Sequence, residues 1–109
     1  MNTVYIFTMK GCGHCTDLKD TLKELEIPFV DYDIYIQNEI WSQVVNQTKQ
    51  NSVPSIFISV NNGENGPVYI PGRDFNNKEE CIEIIKKFIW ILWLIELLRG
   101  IIPFFYAQF

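Results

Sequence analysis

Residues 4–8, Val-Tyr-Ile-Phe-Thr, are β-branched or aromatic without a break, and within four positions the sequence changes period. From Cys12 onward, Cys15, Leu18, Leu22 and Leu25 recur three or four residues apart, with Asp17, Lys19, Asp20, Lys23 and Glu24 between them. The first pattern is that of a buried strand and the second that of an amphipathic helix. Their junction constrains the chain more than any other feature, because it sets two thiols in the first turn of a helix that directly follows a strand.

The rest of the chain continues the alternation. Pro28 follows the end of the first helix, and 29–33 (FVDYD) alternates like a partly buried strand. A second helix is expected from about Asn38 to Lys49, with Ile40, Trp41, Val44 and Val45 as its apolar side. Pro54 opens a strand over 55–60. Asn61, Asn62, Gly63, Asn65, Gly66 and Pro67 supply turn chemistry, and 68–70 returns as a short antiparallel strand. Pro71-Gly72-Arg73-Asp74 reads as a loop, and a last helix starts near Asn77 with Glu79 and Glu80 favourably placed in its first turn. The predicted order is β-α-β-α-β-β-α. A sheet with helices between its strands must bury both faces, so an α/β sandwich is expected, and 109 residues leave room for one domain.

A cysteine at a helix N-terminus faces unsatisfied amide donors and the positive end of the helix dipole, which favour thiolate over thiol. Cys12 occupies that position and is the expected nucleophile. Cys15, close to one turn further on and expected to be more buried, suits a resolving thiol that attacks a mixed disulfide formed on Cys12. The pair could instead supply half of a zinc site. Zinc would need two more ligands from His14, Cys81 or scattered carboxylates, and His14 lies between the two thiols, where one tetrahedral centre would not readily take all three. No metal site is therefore expected. His14 could lower the thiolate pKa or hydrogen-bond the sulfur, or else be an exposed helix residue. Lys10 could hold a substrate carboxylate or be an ordinary surface lysine.

Three cysteines are too few for a disulfide framework, and no charged start followed by an apolar run marks a secretory signal. A reducing, cytoplasmic setting is expected, with the disulfide as a catalytic state. A net charge of −4 and no basic cluster longer than Lys86-Lys87 argue against nucleic acid as a partner. Val53-Pro54 restricts the backbone to extended geometry; a cis bond there would let Val53 present its backbone edge to a sulfur substrate, whereas the plain reading is a strand-initiating proline. Arg73 and Asp74 place opposite charges together, suited to a zwitterionic ligand or to a solvated turn. Cys81 falls with Ile85 and Phe88 on an apolar side and reads as a core thiol.

With those residues placed, the chain resembles the glutaredoxins of the thioredoxin superfamily over about residues 3–87. Three stretches carry the likeness in order and spacing: Lys10-Gly11-Cys12-Gly13-His14-Cys15, Thr48-Lys49-Gln50-Asn51-Ser52-Val53-Pro54, and Pro71-Gly72-Arg73-Asp74. The resemblance implies a thioredoxin-like fold, a four-stranded mixed sheet flanked by helices, and a dithiol-type protein whose active site reads Cys-Gly-His-Cys instead of the usual Cys-Pro-Tyr-Cys. It further implies that Val53-Pro54 is a cis-proline pairing with the glutathionyl cysteine backbone. Lys10 and Gln50 would approach the glycine carboxylate and Asp74 the γ-glutamyl amine, with His14 and Arg73 also at the glutathione site. The implied reaction is reduction of protein disulfides or glutathionylated proteins, ribonucleotide reductase among the possible partners, with glutathione as co-substrate. A thioredoxin-like donor regenerated by a flavoprotein reductase is the nearest alternative. Some relatives share a [2Fe–2S] centre between two subunits, a use expected less here because the monothiol pattern is absent.

Residues 88–109 form an extension that the resemblance does not explain, expected to continue the last helix beyond a domain of residues 1–87. Seventeen of its 22 residues are apolar, but its longest unbroken apolar stretch, 88–95, is far short of a membrane span. It could anchor to a membrane, pack against the sheet or another subunit, or be poorly ordered. Were it the functional part, the domain would be a non-catalytic adaptor with an unreactive Cys12; the retained thiols and proline loop favour the enzyme.

Overall fold

The structure is a computed structural model that describes the backbone of residues 3–59 and 66–101 and the side chains of those residues as far as Ile89. The elements are β1 (Thr3–Thr8), α1 (Gly13–Glu24), β2 (Val30–Asp33), α2 (Asn38–Thr48), β3 (Ser55–Ser59), β4 (Val68–Tyr69) and α3 (Lys78–Ile101). They build a four-stranded sheet in the order β2-β1-β3-β4. The β1–β2 pair is parallel, which requires a crossover, and α1 supplies it. β1 with β3 and β3 with β4 are antiparallel, so the sheet is mixed, as expected.

Strand alternation divides the core. Val4 and Ile6 of β1 lie opposite Ile58 and Ile56 of β3, and all four pack with Leu18 and Leu22 of α1, Phe75, and Cys81, Ile82 and Ile85 of α3. Tyr5 and Phe7 point to the other face, where Tyr5 contacts Tyr32 and Phe57 and Phe7 meets Trp41 of α2 with ring centroids 5.3 Å apart. The sheet is thus a central layer with α1 and α3 on one side and α2 on the other. Full burial of each of Ile6, Leu22 and Ile85 contributes about 1.5–3 kcal/mol.

The element ends shift by a residue or so from expectation. β2 begins at Val30, with Phe29 tucked against the core instead of paired in the sheet. On α2 the inward stripe starts at Trp41 and reaches buried Val44, which leaves Ile40 on the flank, exposed. α2 ends with Lys49 in the left-handed region at φ 60°. Val60 and the turn residues Asn61, Asn62, Gly63 and Asn65 lie outside the described residues. Gly66 is required where β4 nears β3, since a Cβ there would run into the Ile58 carbonyl.

α3 packs its first turns on the sheet and continues unbroken to Ile101. Among the described residues no helix is long and apolar enough to cross a membrane. Residues 102–109, the end of the expected extension, lie outside the described residues.

Candidate redox site

Gly11, at φ 80°, turns the chain between β1 and α1, a conformation strained for any residue with a Cβ. Cys12 follows as the N-cap of α1, with extended backbone angles and its Sγ accepting the Cys15 N–H at 3.1 Å. Its carbonyl accepts the Thr16 N–H at 3.1 Å. A sulfur therefore takes the role that a serine or aspartate oxygen usually plays at a helix start. A thiolate at that atom gains from the same N–H and from the helix dipole. Cys15, one turn on, is 1% exposed, whereas Cys12 is half-buried. The two form a disulfide with Cα atoms 5.2 Å apart.

Beside this turn lies a cleft of about 220 Å³. His14, Asp17 and Leu18 line it from α1, Val53 and Pro54 from the loop before β3, and Pro71, Phe75, Asn76, Asn77, Lys78 and Cys81 from the approach to α3 and its first turn. The Val53–Pro54 peptide is cis. The Ser55 hydroxyl donates to the Ser52 carbonyl at 2.6 Å and so ties the loop to the start of β3. Lys78 Nζ lies 3.1 Å from Asp17 Oδ1, joining α3 to α1 beside the cleft.

His14, Val53 and Pro54 are thus gathered at one cleft, while Lys10, Gln50, Arg73 and Asp74 lie outside its lining. Lys10 and Gln50 are exposed. The Arg73–Asp74 pair closes on itself: Arg73 Nε donates to Asp74 Oδ2 at 2.9 Å, Nη2 donates to the Val68 carbonyl, and the Ile70 N–H donates to the same Asp74 oxygen at 2.8 Å. Burial alone would raise the Asp74 pKa, but the hydrogen bonds from Arg73 and Ile70 and the Arg73 charge outweigh it and hold the carboxyl below its ordinary value.

Residues 4–62 match the sequence profile of glutaredoxin. The chain belongs to the glutaredoxin family. Comparison with curated proteins finds no match. The family assignment agrees with the thioredoxin-like α/β fold and with a cysteine pair at disulfide distance in the first turn of α1.

Among the described residues of this glutaredoxin, no group of three or more His, Cys, Asp or Glu is placed to hold a metal ion. A [2Fe–2S] centre takes four ligands, and at this turn the chain offers half-buried Cys12 and deeply buried Cys15, so a centre held through Cys12 would need donors from outside the chain. Cys81 is enclosed in the core with its thiol pushed up to about 12 by burial.

Asp17, Asn76 and Lys78 line the cleft without having been singled out in the sequence. Two signals could have pointed to them, Val53-Pro54 and the Pro71-Gly72-Arg73-Asp74 stretch, since Pro54 and Pro71 line the same cleft. A second unmarked group is Thr8, Lys19 and Asp31, which meet where β1, α1 and β2 come together. The Thr8 hydroxyl donates to Asp31 Oδ1, and Lys19 Nζ donates to Asp31 Oδ2 at 2.8 Å.

Proposed function

We propose that this glutaredoxin is a glutathione-dependent thiol–disulfide oxidoreductase of the dithiol type. The observation that carries the reading is the Cys12 sulfur as N-cap of α1, accepting the Cys15 N–H and able to close a disulfide with it. In the reduced protein the Cys12 thiolate attacks a disulfide sulfur of the substrate. A new Cys12–substrate bond forms, the substrate disulfide breaks, and the leaving thiolate takes a proton. Cys15 then attacks the Cys12 sulfur, releasing the second product thiol and leaving the internal disulfide. Two glutathione thiols reduce that disulfide and depart as glutathione disulfide, so two electrons pass from glutathione to substrate in each cycle.

The cleft supports a place for the glutathionyl group alongside His14 and the Val53-Pro54 backbone. Lys10 and Gln50, both exposed, would approach a carboxylate of the ligand, and Asp74 would reach an amine through whatever capacity its pairing with Arg73 leaves. Glutathionylated or disulfide-bonded proteins, ribonucleotide reductase among them, are the proposed partners.

One observation favours a second reading. Asp74 Oδ2 already holds the Ile70 N–H and Arg73, and Phe75 is buried beside the cleft, so this side of the site has less to offer a γ-glutamyl group. A thioredoxin-like donor recharged by a flavoprotein reductase would need no such contact.

The test is the redox equilibrium of the full chain in glutathione buffers, with the Cys12–Cys15 disulfide followed by mass shift after alkylation and with Cys12→Ser and Cys15→Ser as controls. Reversible two-electron exchange near cytosolic glutathione potentials is expected. Absence of both that disulfide and a glutathione adduct on Cys12 would refute the reading.

A further inference from the structure

Cys12, Cys15, Lys19 and Leu22 follow one another at intervals of three, four and three residues, so a single stripe of α1 carries both thiols, then a lysine, then a core leucine. Cys15 and Leu22 are almost wholly buried, and Lys19 between them is half-buried. Its partner is Asp31 of β2, at 2.8 Å, in a pair that water still reaches, with side chains 24% and 41% exposed. The other Asp31 oxygen is held by the hydroxyl of Thr8, itself 4% exposed and the last residue of β1 before the loop that delivers Cys12. Three elements thus meet in one polar network. Burial would raise the Asp31 pKa, but hydrogen bonds from Lys19 and Thr8 and the charges of Lys19 and Lys23 outweigh it, and the carboxyl is held ionised below its ordinary range.

The disulfide has no net charge, whereas its reduced form carries a thiolate on Cys12. Any unbalanced charge near the stripe therefore shifts the balance between the two. Seven residues separate Cys12 from Lys19, a rise on the order of 10 Å along the helix. At that separation a unit charge alters a thiolate equilibrium by about twofold in salt-free water and by on the order of tenfold at an effective dielectric near 20; salt screens both, so the effect is largest at low ionic strength.

We infer that Thr8, Asp31 and Lys19 form a positioning network that sets the thiol–disulfide equilibrium of the Cys12–Cys15 pair, with Asp31 cancelling the Lys19 charge. The inference rests on the dithiol reading above and adds a control to it. None of the three side chains touches substrate; they act through the electrostatics of the stripe and the anchorage of the β1 end.

The experiment measures the equilibrium constant of the full chain against glutathione buffers and the pH midpoint of Cys12 alkylation. Asp31→Asn leaves the Lys19 cation uncancelled; the dithiol is expected to gain by about two- to tenfold, with a lower alkylation midpoint. Lys19→Gln leaves the Asp31 carboxylate opposed only by Lys23 and moves both quantities the other way. The double variant returns near the parent. Opposite signs and mutual restoration distinguish this role from a structural one, since both single changes break the same contact. Should Asp31→Asn fail to fold, Lys19→Gln against Lys19→Arg decides: Arg keeps the parent equilibrium and Gln shifts it. Variants that stay at the parent value, or that shift in one common direction, would overturn the inference while a parent chain that still exchanges leaves the dithiol reading intact. A parent chain that does not exchange removes both.

Discussion

α1 and α3 both begin beside the same cleft, and they are capped by different chemistry. At α3 the Asn77 side-chain oxygen takes the Glu80 N–H at 2.8 Å, while the Glu80 carboxylate reaches back to the Asn76 N–H at 2.7 Å. Two donors are satisfied reciprocally by groups that do no further chemistry. At α1 the capping acceptor is the Cys12 sulfur. Both helix starts favour negative charge, yet only α1 places there an atom that can make and break a covalent bond. Each helix also carries a buried cysteine early in its length, Cys15 and Cys81, but only Cys15 has a sulfur partner. A helix start thus becomes a redox site only when an accessible sulfur is the cap itself.

The sharpest way to break the contrast is Cys12→Ser. The hydroxyl keeps an N-cap acceptor, so the reduced fold should hold to within about 1 kcal/mol in urea unfolding, while exchange with glutathione disappears in the turnover assay. Cys81 offers the next largest effect. With its thiol raised to about 12, it should alkylate at pH 8 roughly a thousandfold more slowly than an ordinary cysteine. Mass spectrometry of the reduced protein, labelled before and after denaturation, should find Cys12 modified first and Cys81 only once unfolded. A rapidly labelled native Cys81 would mean that α3 does not enclose it.

Asn77→Ala tests the inert cap and should lower stability by about 1 kcal/mol in the same urea experiment. A loss near zero would show that Glu80 alone suffices. The smallest effect is in acid. Asp31 and Asp74 are both held below the ordinary aspartate value of about 3.9, so their contribution is fully present above that pH and is lost as pH falls through the depressed native values. Asp31→Asn and Asp74→Asn should each flatten the decline of thermal stability below about pH 4; both carboxylates are partly exposed, which keeps the change small.

Much of this was legible in the chain because local pattern and local chemistry coincide. Val4 to Thr8 and the Cys15, Leu18, Leu22 spacing specify a strand and a helix face, and the position of Cys12 at their join indicates a sulfur cap. Pro54 marked the loop opposite. What stayed hidden depends on register. Asp31 lies on an edge strand whose pairing with β1 brings it within reach of Thr8 and Lys19, and no sequence periodicity connects those three positions. The Arg73–Asp74 pair was visible as opposite charges, but its closure on Val68 and Ile70 depends on how β4 enters the turn. Ile40 looked like a core residue by composition and is not one, because the stripe of α2 is phased by Trp41 against Phe7.

α3 carries one more implication. Its first turns are locked into the core by Cys81, Ile82 and Ile85, and the same helix runs on without a break to Ile101, about 36 Å from its start. Such a rod acts as a ruler fixed at one end. Anything attached near Ile101 is held at a set distance and bearing from the cysteine turn, so lengthening the helix by one residue would swing that attachment by about 100° around the axis while leaving the redox turn where it is.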